Sequence, residues 1–325
     1  MFSRSISPKL FRSNTNLILR TMTTIPATMK SIIIKENGDV DKLIYEEVPT
    51  PKVSEGSVLV KNHVAGNAGE VVEVGPDVKD VKVGDRVLYM SGSAYAEYNK
   101  VPVAHAVKLS DTVSFEEATA SGLQALTAWT MVRDGYRVQP GDTVLVHAAA
   151  GGVGLLLVQM CHYLGAKVIG TVSTEEKAKL VRENGGDHTI IYTKEDVVER
   201  VNEITNGLGC HAVLDGVGKD TWEASLAATR RFGTLISYGN ASGMIPPVSI
   251  HCLGPKALKL MRPQLYPYID TKEEFQRWWN EILVLLEKKA IKAHIHKCYD
   301  LKDAYQAHAD IESRKTTGKL LLKFK

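Results

Sequence analysis

Gly141-Asp142-Thr143-Val144-Leu145-Val146-His147-Ala148-Ala149-Ala150-Gly151-Gly152-Val153-Gly154 is the stretch whose reading decides the fold. Thr143–His147 reads as a short apolar strand, and a helix begins near Gly152 and runs to Leu164. On the spacing GxGxxG the three key positions are Ala149, Gly151 and Gly154. Gly151 lacks a side chain, so a pyrophosphate can approach the backbone, and Gly154 lets the helix pack close to the strand. The free N–H groups and positive end of the helix then face the phosphates. Ala149 in the first glycine position implies a slightly different tight turn. A glycine string alone is a weak signal; a strand before it and a helix after it make it specific.

Working outward, strand and helix patterns alternate. Strands are read at Thr143–His147, Lys167–Val172, Thr189–Tyr192, Ala212–Asp215 and Thr234–Tyr238, with helices at Gly152–Leu164, Thr174–Asn184, Lys194–Thr205 and Asp220–Ala228. The strands are apolar throughout, as strands buried on both faces should be. Such alternation argues a doubly wound parallel α/β sheet. Ser114 and Glu117 suggest a capping box before the apolar run Ala118–Val132. The strand at Lys167–Val172 bears on the cofactor. In NAD-binding sheets the end of this strand usually supplies an acid to the ribose 2′-hydroxyl. Here Ser173 stands in that place, and Lys177 follows as a point charge suited to a 2′-phosphate. NADP is therefore favoured over NAD. Glu175 and Glu176 oppose this, but in the first turn of a helix they read more simply as complements to its dipole.

Before this region the runs are short and β-like: Ser31–Lys35, Ser57–Val64, Glu70–Val74, Arg86–Met90 and Ala94–Tyr98. Turn sequences such as Asn37-Gly38-Asp39, Pro49-Thr50-Pro51 and Gly75-Pro76-Asp77 separate them. After Gly254 come an apolar run (Ala257–Met261), a long helix (Lys272–Lys289), a further helix (Leu301–Glu312) and a last strand (Lys319–Phe324) expected to return to the β-rich part.

The composition of the 325-residue chain, 44% hydrophobic and 24% charged, is that of an ordinary folded protein. Its four cysteines, Cys161, Cys210, Cys252 and Cys298, are widely spaced with no CxxC pair. A clustered-cysteine zinc site is excluded, and a reduced compartment is expected. The net charge of +3 is uneven, because residues 1–29 hold Arg4, Lys9, Arg12 and Arg20 and no acid. The remainder is close to neutral and carries no broad nucleic-acid footprint. Residues 1–29 are Ser/Thr-rich and basic, features of a mitochondrial transit peptide; Met22 or Met29 as alternative starts would give a cytoplasmic form. No apolar run is long enough to span a bilayer without interruption.

With GDTVLVHAAAGGVG (Gly141–Gly154), the strings GAKVIGTVSTEEKA (Gly165–Ala178), SYGNASG (Ser237–Gly243) and ESRKTTGKLLL (Glu312–Leu322) make the chain closely resemble the zinc-independent, zeta-crystallin-like quinone oxidoreductases of the medium-chain dehydrogenase/reductase family. The resemblance runs from Met29 to Lys325. It implies a Rossmann domain plus a GroES-like β-rich domain, arranged as a leader (1–29), the first part of the GroES-like catalytic domain (30–112), the NADPH-binding Rossmann domain (113–290) and a return to the catalytic domain (291–325). It also implies a homodimer that reduces quinones with NADPH, by two electrons or one. The implied contacts are Thr127 near the nicotinamide; Gly151, Gly152 and Val153 at the pyrophosphate; Ser173, Lys177, Tyr192 and Arg314 around the 2′-phosphate; and Tyr238, Gly239 and Asn240 beside the nicotinamide half. Some relatives also bind RNA. The zinc-dependent cousins place Cys, His and Glu ligands in a β domain that here has no cysteine, and His63 and His105 have no partners at ligand spacing. No side chain is assigned as the catalytic acid.

The chain departs from the family at one place. Ser57–Val64 is followed by Ala65-Gly66-Asn67-Ala68-Gly69 and at once by Glu70–Gly75, without the usual intervening stretch. As bare sequence this is two strands joined by a tight Gly-Asn hairpin. Against the family, a wall of the substrate cleft and the polar side chains over the nicotinamide are missing, the result that exon skipping or a gene-model error would produce. Gly216 also stands where a small hydroxyl or thiol residue is usual. Two functions are therefore weighed: an active NADPH:quinone reductase, and a catalytically impaired NADPH-binding variant acting as a non-enzymatic binding or interaction protein.

Overall fold

A computed structural model describes residues 24–324. The greater part of the leader expectation, residues 1–23, lies outside the described residues. The first strand begins inside the segment read as leader: β1 (Thr28–Ile33) pairs antiparallel with β2 (Ile44–Pro49), Met29 facing Val48. Then follow β3 (Ser57–Ala65), β4 (Ala68–Val74), β5 (Arg86–Tyr89), β6 (Tyr98–Pro102) and β7 (Ala106–Lys108). The strand expected at Ala94–Tyr98 is instead β6, a step further on. Ser93 adopts a left-handed backbone, and the ladder starts only where Tyr98 meets Lys61 of β3.

After α1 (Phe115–Thr130) come β8 (Thr143–Val146), α2 (Gly152–Tyr163), β9 (Lys167–Val172), α3 (Glu175–Glu183), β10 (His188–Ile191), α4 (Val197–Thr205), β11 (Cys210–Asp215), α5 (Trp222–Ala228), β12 (Thr229–Ser237) and β13 (Lys259–Met261). The chain closes with α6 (Lys272–Glu287), β14 (Ile295–Asp300), α7 (Ala304–Glu312) and β15 (Lys319–Lys323). Ser114 caps α1 by accepting from Glu117 N at 3.0 Å, whereas the box with both reciprocal bonds is at Thr271 and Glu274, opening α6.

β8–β13 form one parallel sheet in the order β10-β9-β8-β11-β12-β13, the doubly wound arrangement whose direction reverses between β8 and β11. Both faces are buried. Val144 and Val146 of β8 join the core beneath α1, α2 and α6, while Leu145 joins a second core with Ile190, Val213 and Trp222. Alternate residues of one strand thus enter two cores, which explains why these strands carry so little polarity. The β-rich part is a seven-stranded sheet in the order β14-β15-β3-β4-β5-β7, with β6 also on β3. β15 pairs antiparallel with β3, so the segment after the parallel sheet returns to the sheet formed by β3–β7, while β1 and β2 form a two-stranded sheet of their own. β3 turns straight into β4 through Gly66 and Asn67, with Val64 opposite Ala68.

At the end of β8, Ala148 takes a left-handed backbone (φ 49°), and the chain folds back so that Gly151 N donates to Ala148 O at 2.9 Å. A Cβ on Gly154 would stand 2.3 Å from Ala148 O and 2.9 Å from the Cα and C of Ala149, all of them backbone. Alanine would gain about 1 kcal/mol of helix propensity over glycine, but overpacking against immovable backbone costs about 1–3 kcal/mol or more. Gly154→Ala is therefore expected to lower the thermal midpoint by several degrees. Gly151→Ala, with an ordinary φ of −77° and only Ala148 O near its Cβ at 3.2 Å, should leave the midpoint almost unchanged. Equal melting of Gly154→Ala and the parent would show that the helix has room to move away.

Candidate active site

The carboxyl ends of the parallel strands carry two cavities. One, of about 340 Å³, draws on the segments that follow β8, β9, β10 and β11; it is lined by His147, Ala148, Thr171, Tyr192, Glu195, Asp196, Val197, Val217, Asp220, Thr221, Ala224 and Arg314. The other, of about 400 Å³, is lined by Thr127, Thr130 and Met131 of the α1 region, by Tyr238, and by Arg262, Pro263, Gln264, Leu265 and Tyr266 beyond β13. A crevice at the switch point of such a sheet is where ligands bind.

Helix α2 starts beside the first cavity, and its start is bare. Side chains of Ser114, Thr174, Asp196 and Thr271 cap α1, α3, α4 and α6, but Gly151 gives α2 no side-chain cap. The first-turn N–H groups of an α-helix have no intrahelical acceptor; that of Gly152 faces Gly318 O in the parallel bridge between Gly151 and Gly318, while that of Val153 is available to an anion. The segment after α7 closes over this turn: Gly318 N donates to Ala150 O at 2.9 Å, and a Cβ on Gly152 would stand 3.1 Å from Gly318 O.

Residues far apart in sequence meet here. Lys177 Nζ donates to the carbonyl of Arg314 at 2.8 Å, and partial burial holds the lysine below its ordinary pKa. Arg314 sits in a left-handed conformation (φ 60°), strained for a residue with a side chain, and its Nη2 lies 3.5 Å from Ala241 O. Ser173 is half-buried at the end of β9, and its hydroxyl has no hydrogen-bond partner among the described residues. Tyr192 lies just past β10 and is exposed on the cavity rim. The two acids that argued against a phosphate are turned to other groups. Glu175 accepts from Arg182 at 2.5 Å. Glu176 is held below the usual carboxylate range first by its own backbone N–H and then by Thr174. Of the acids lining the cavity, Glu195 accepts from Ile191 N and pairs with Arg200, and Asp196 caps α4.

In the second cavity, Thr127 returns its hydroxyl to Leu123 O at 2.7 Å, so its oxygen lone pairs remain for another donor. Burial, and then the Asp215 carboxylate, push the Tyr238 phenol upward, so it stays protonated. Gly216 explains itself: a Cβ there would fall 2.6–2.8 Å from two ring carbons and the hydroxyl oxygen of Tyr238. Gly239 is equally constrained, its Cβ position lying 2.4 Å from Gly216 O. Arg262, which sequence reasoning missed, ties down this loop. Its Nη1 donates to Ser237 O at 2.8 Å, and Asn240, turned to satisfy both amide atoms, accepts from Nη2 at 3.2 Å. It follows a three-residue strand and belongs to no recognisable motif, so its spacing carried no signal.

None of the residues lining the second cavity comes from β1–β7. Asn67 of the short hairpin instead donates to Tyr89 O at 2.9 Å, within its own sheet. Among the described residues no set of three or more His, Cys, Asp and Glu side chains is arranged to hold a metal ion.

Comparison with known proteins decides the lineage. A family model described as "Zinc-binding dehydrogenase" matches residues 152–281. A quinone oxidoreductase of Pseudomonas aeruginosa is 43% identical over 258 residues, 78% of this chain and 79% of that protein. A probable quinone oxidoreductase of Schizosaccharomyces pombe is 38% identical, covering 94% of this chain and 97% of that one. This chain belongs to the quinone oxidoreductases of the medium-chain dehydrogenase/reductase family. The alignment with the yeast family member spans 337 positions, more than the 325 residues present here, so that member carries residues this chain lacks. The structure is also similar to the Escherichia coli family member, solved in complex with NADPH, with a TM-score of 0.86 and 37% identity over 91% of this chain and 100% of that one.

The role of Arg262 is open to measurement. Removing its guanidinium in Arg262→Ala deletes the bond to Ser237 O and the support of Asn240. Amide hydrogen exchange across 239–243 should then accelerate roughly tenfold, about the value of one hydrogen bond to a charged donor, while β12 keeps its protection. Unchanged exchange in that loop would mean that the close backbone packing of Gly239 on Gly216 suffices to hold it.

Proposed function

We propose that this chain is a zinc-independent NADPH:quinone oxidoreductase. The observation that carries the reading is that Lys177 Nζ, four residues after Ser173 at the end of β9, donates to the main-chain carbonyl of Arg314, which itself lines the cavity, with Glu175 and Glu176 engaged elsewhere. A hydroxyl and two cationic side chains without a competing acid suit a 2′-phosphate, which a carboxylate at Ser173 would repel. The uncapped start of α2 and the open backbone at Gly151 and Gly152 fit a pyrophosphate. Val153 packs into the core and holds that first turn in place. Thr127, Tyr238, Gly239 and Asn240 then border the nicotinamide half.

When bound, NADPH supplies a hydride from C4, which with a proton from water converts a quinone to its hydroquinone. The protein's part is positional. Gly216 leaves room for the Tyr238 ring, Gly239 lets the loop pass close to the Gly216 backbone, and Arg262 fixes that loop. The cavity formed with Met131, Pro263 and Leu265 gives an electron-poor, apolar acceptor a surface to rest on. Zinc independence is supported by the absence of cysteine from residues 30–112, the one cysteine of the β-rich sheet, Cys298 on β14, being exposed and belonging to no cluster of three or more His, Cys, Asp or Glu among the described residues.

The reading extends to a homodimer, because β13 is a free edge of its sheet and Met244, Val248, Ile250, Leu260 and Tyr266 expose apolar surface around it. A monomer mass by light scattering would remove that part. Residues 1–29 support a mitochondrial address, with a cytoplasmic form from Met22 or Met29; failure of the tagged chain to enter respiring mitochondria would remove the address.

The central experiment titrates the purified chain with NADPH and NADH, then adds an ortho- and a para-quinone. NADPH should bind much more tightly than NADH, and Lys177→Ala should weaken NADPH by roughly ten- to a hundredfold, the value of a lost charge-assisted contact, with little effect on NADH. NADPH oxidation equimolar with quinone reduced supports the two-electron route. Saturable NADPH binding without quinone-dependent oxidation would favour the non-enzymatic reading, which is supported by the lack of any β1–β7 residue in the lining of the second cavity. Equal affinity for the two dinucleotides would remove the phosphate pocket.

A further inference from the structure

The face of β15 turned toward α1 carries a cation that nothing so far described uses. Successive strand residues point to opposite faces, so Lys319, Leu321 and Lys323 share one side. Their neighbours run along α1 in order. Lys323 Nζ donates to Glu116 at 3.2 Å, and Leu321 packs with Ala120 and Val64. One further turn brings α1 to Leu123 and Gln124, opposite Lys319. The backbone agrees: Gly318 O and Gln124 Cγ lie 3.1 and 3.5 Å from the place a Cβ on Gly152 would take. Lys319 is half-buried, and its Nζ has no hydrogen bond or ion pair with any described residue. Burial lowers the pKa of this ammonium, and no acid acts on it to raise it. On the facing turn, Gln124 Oε1 is buried and has no hydrogen-bond partner either. A desolvated cation without a counter-ion is costly to keep.

We propose that Lys319 binds an anionic substituent of the electron acceptor, so that the site favours quinones carrying a carboxylate or a similar acid group. This rests on the quinone-reductase reading above and names its substrate class. In that reading the charges of the dinucleotide are already matched, the 2′-phosphate by Ser173, Lys177 and Arg314 and the pyrophosphate by the first turn of α2. Lys319 lies outside that set, across from the stretch of α1 that leads to the apolar cavity. Thr127, which lines that cavity, follows Gln124 by three residues, a rise of about 4.5 Å along the helix. No residue of β1–β7 lines the cavity, and Leu123 on the same stretch of α1 is exposed. A quinone ring resting against Met131 and Leu265 can therefore extend a substituent back along α1. There it meets an ammonium with three donors and the amide of Gln124. Charge-assisted hydrogen bonds to a carboxylate are short and strong.

The test compares two acceptors that share one redox ring: a naphthoquinone bearing a propionate chain, and the methyl ester of the same compound. With the full chain and saturating NADPH, KM for the carboxylate should be roughly tenfold below KM for the ester. Lys319→Met should bring the ratio of the two KM values to about one, as loss of one charge-assisted contact requires, and Lys319→Arg should keep most of the preference. Equal KM values in the parent overturn the proposal while quinone reduction stands. A folded Lys319→Met that retains the preference also overturns it. So does one whose main defect is weaker NADPH binding, which would give the cation to the dinucleotide. If Lys319→Met does not fold, salt decides with the parent: KM for the carboxylate should rise with ionic strength while that for the ester does not, and parallel behaviour overturns the assignment. If the parent oxidises NADPH with neither acceptor, the quinone-reductase reading falls and this assignment with it.

Discussion

At the end of β8 two stretches of backbone approach until no side chain fits between them. The carbonyl of Ala148 occupies the space a Cβ on Gly154 would need, and Gly170 of β9 leaves room for the methyl of Ala149. This contact fixes where α2 begins and how it leans on the sheet. Because Gly151 contributes no cap, the N–H groups of that first turn face outward instead of being closed by a side chain. The bond from Gly318 to Ala150 then fastens the segment carrying Arg314 to the same turn. Ala148, a non-glycine residue in a left-handed conformation, bears the local strain, as a position held by its surroundings can.

The site divides by chemistry along the sheet. From β8 to β11 the strand ends gather polar and charged groups; of the acids there, Asp196 caps a helix and Glu195 pairs with Arg200. Beyond β12 and β13 they gather Met131, Pro263, Leu265 and the Tyr238 ring, with Arg262 holding the loop from outside. One half is suited to recognising a charged, hydrogen-bonding molecule and the other to admitting an apolar one. With no residue of β1–β7 in its lining, the second half receives no enclosure from the β-rich sheet, and enclosure strengthens electrostatic and hydrogen-bonding effects at a reacting centre.

How much of this was legible in the sequence follows from where the information lies. The parallel strands could be read because burial on both faces removes polarity from every position, as Val144, Leu145 and Val146 show. β2 and β6 were missed or misplaced because they are partly exposed, and β6 takes its register from β3, far away in the chain. Ser173 and Lys177 could be found by distance from the glycine turn. Arg314 could not: its approach to Lys177 spans 137 positions, and only resemblance named it. Arg262 follows a strand too short to register as a pattern. Lys319 stood inside a family string but read only as the start of the last strand, since the lack of a partner for its Nζ is a property of packing.

The hairpin between β3 and β4 has a kinetic consequence. With only Gly66 and Asn67 between the strands, Val64 finds Ala68 almost at once along the chain. Loop-closure entropy for that pairing is small, and short-range contacts speed folding. A connection many residues longer would make the same ladder wait for a distant encounter. The central strand of the β-rich sheet thus gains a local nucleus, onto which β6 and β15 can dock from their remote positions.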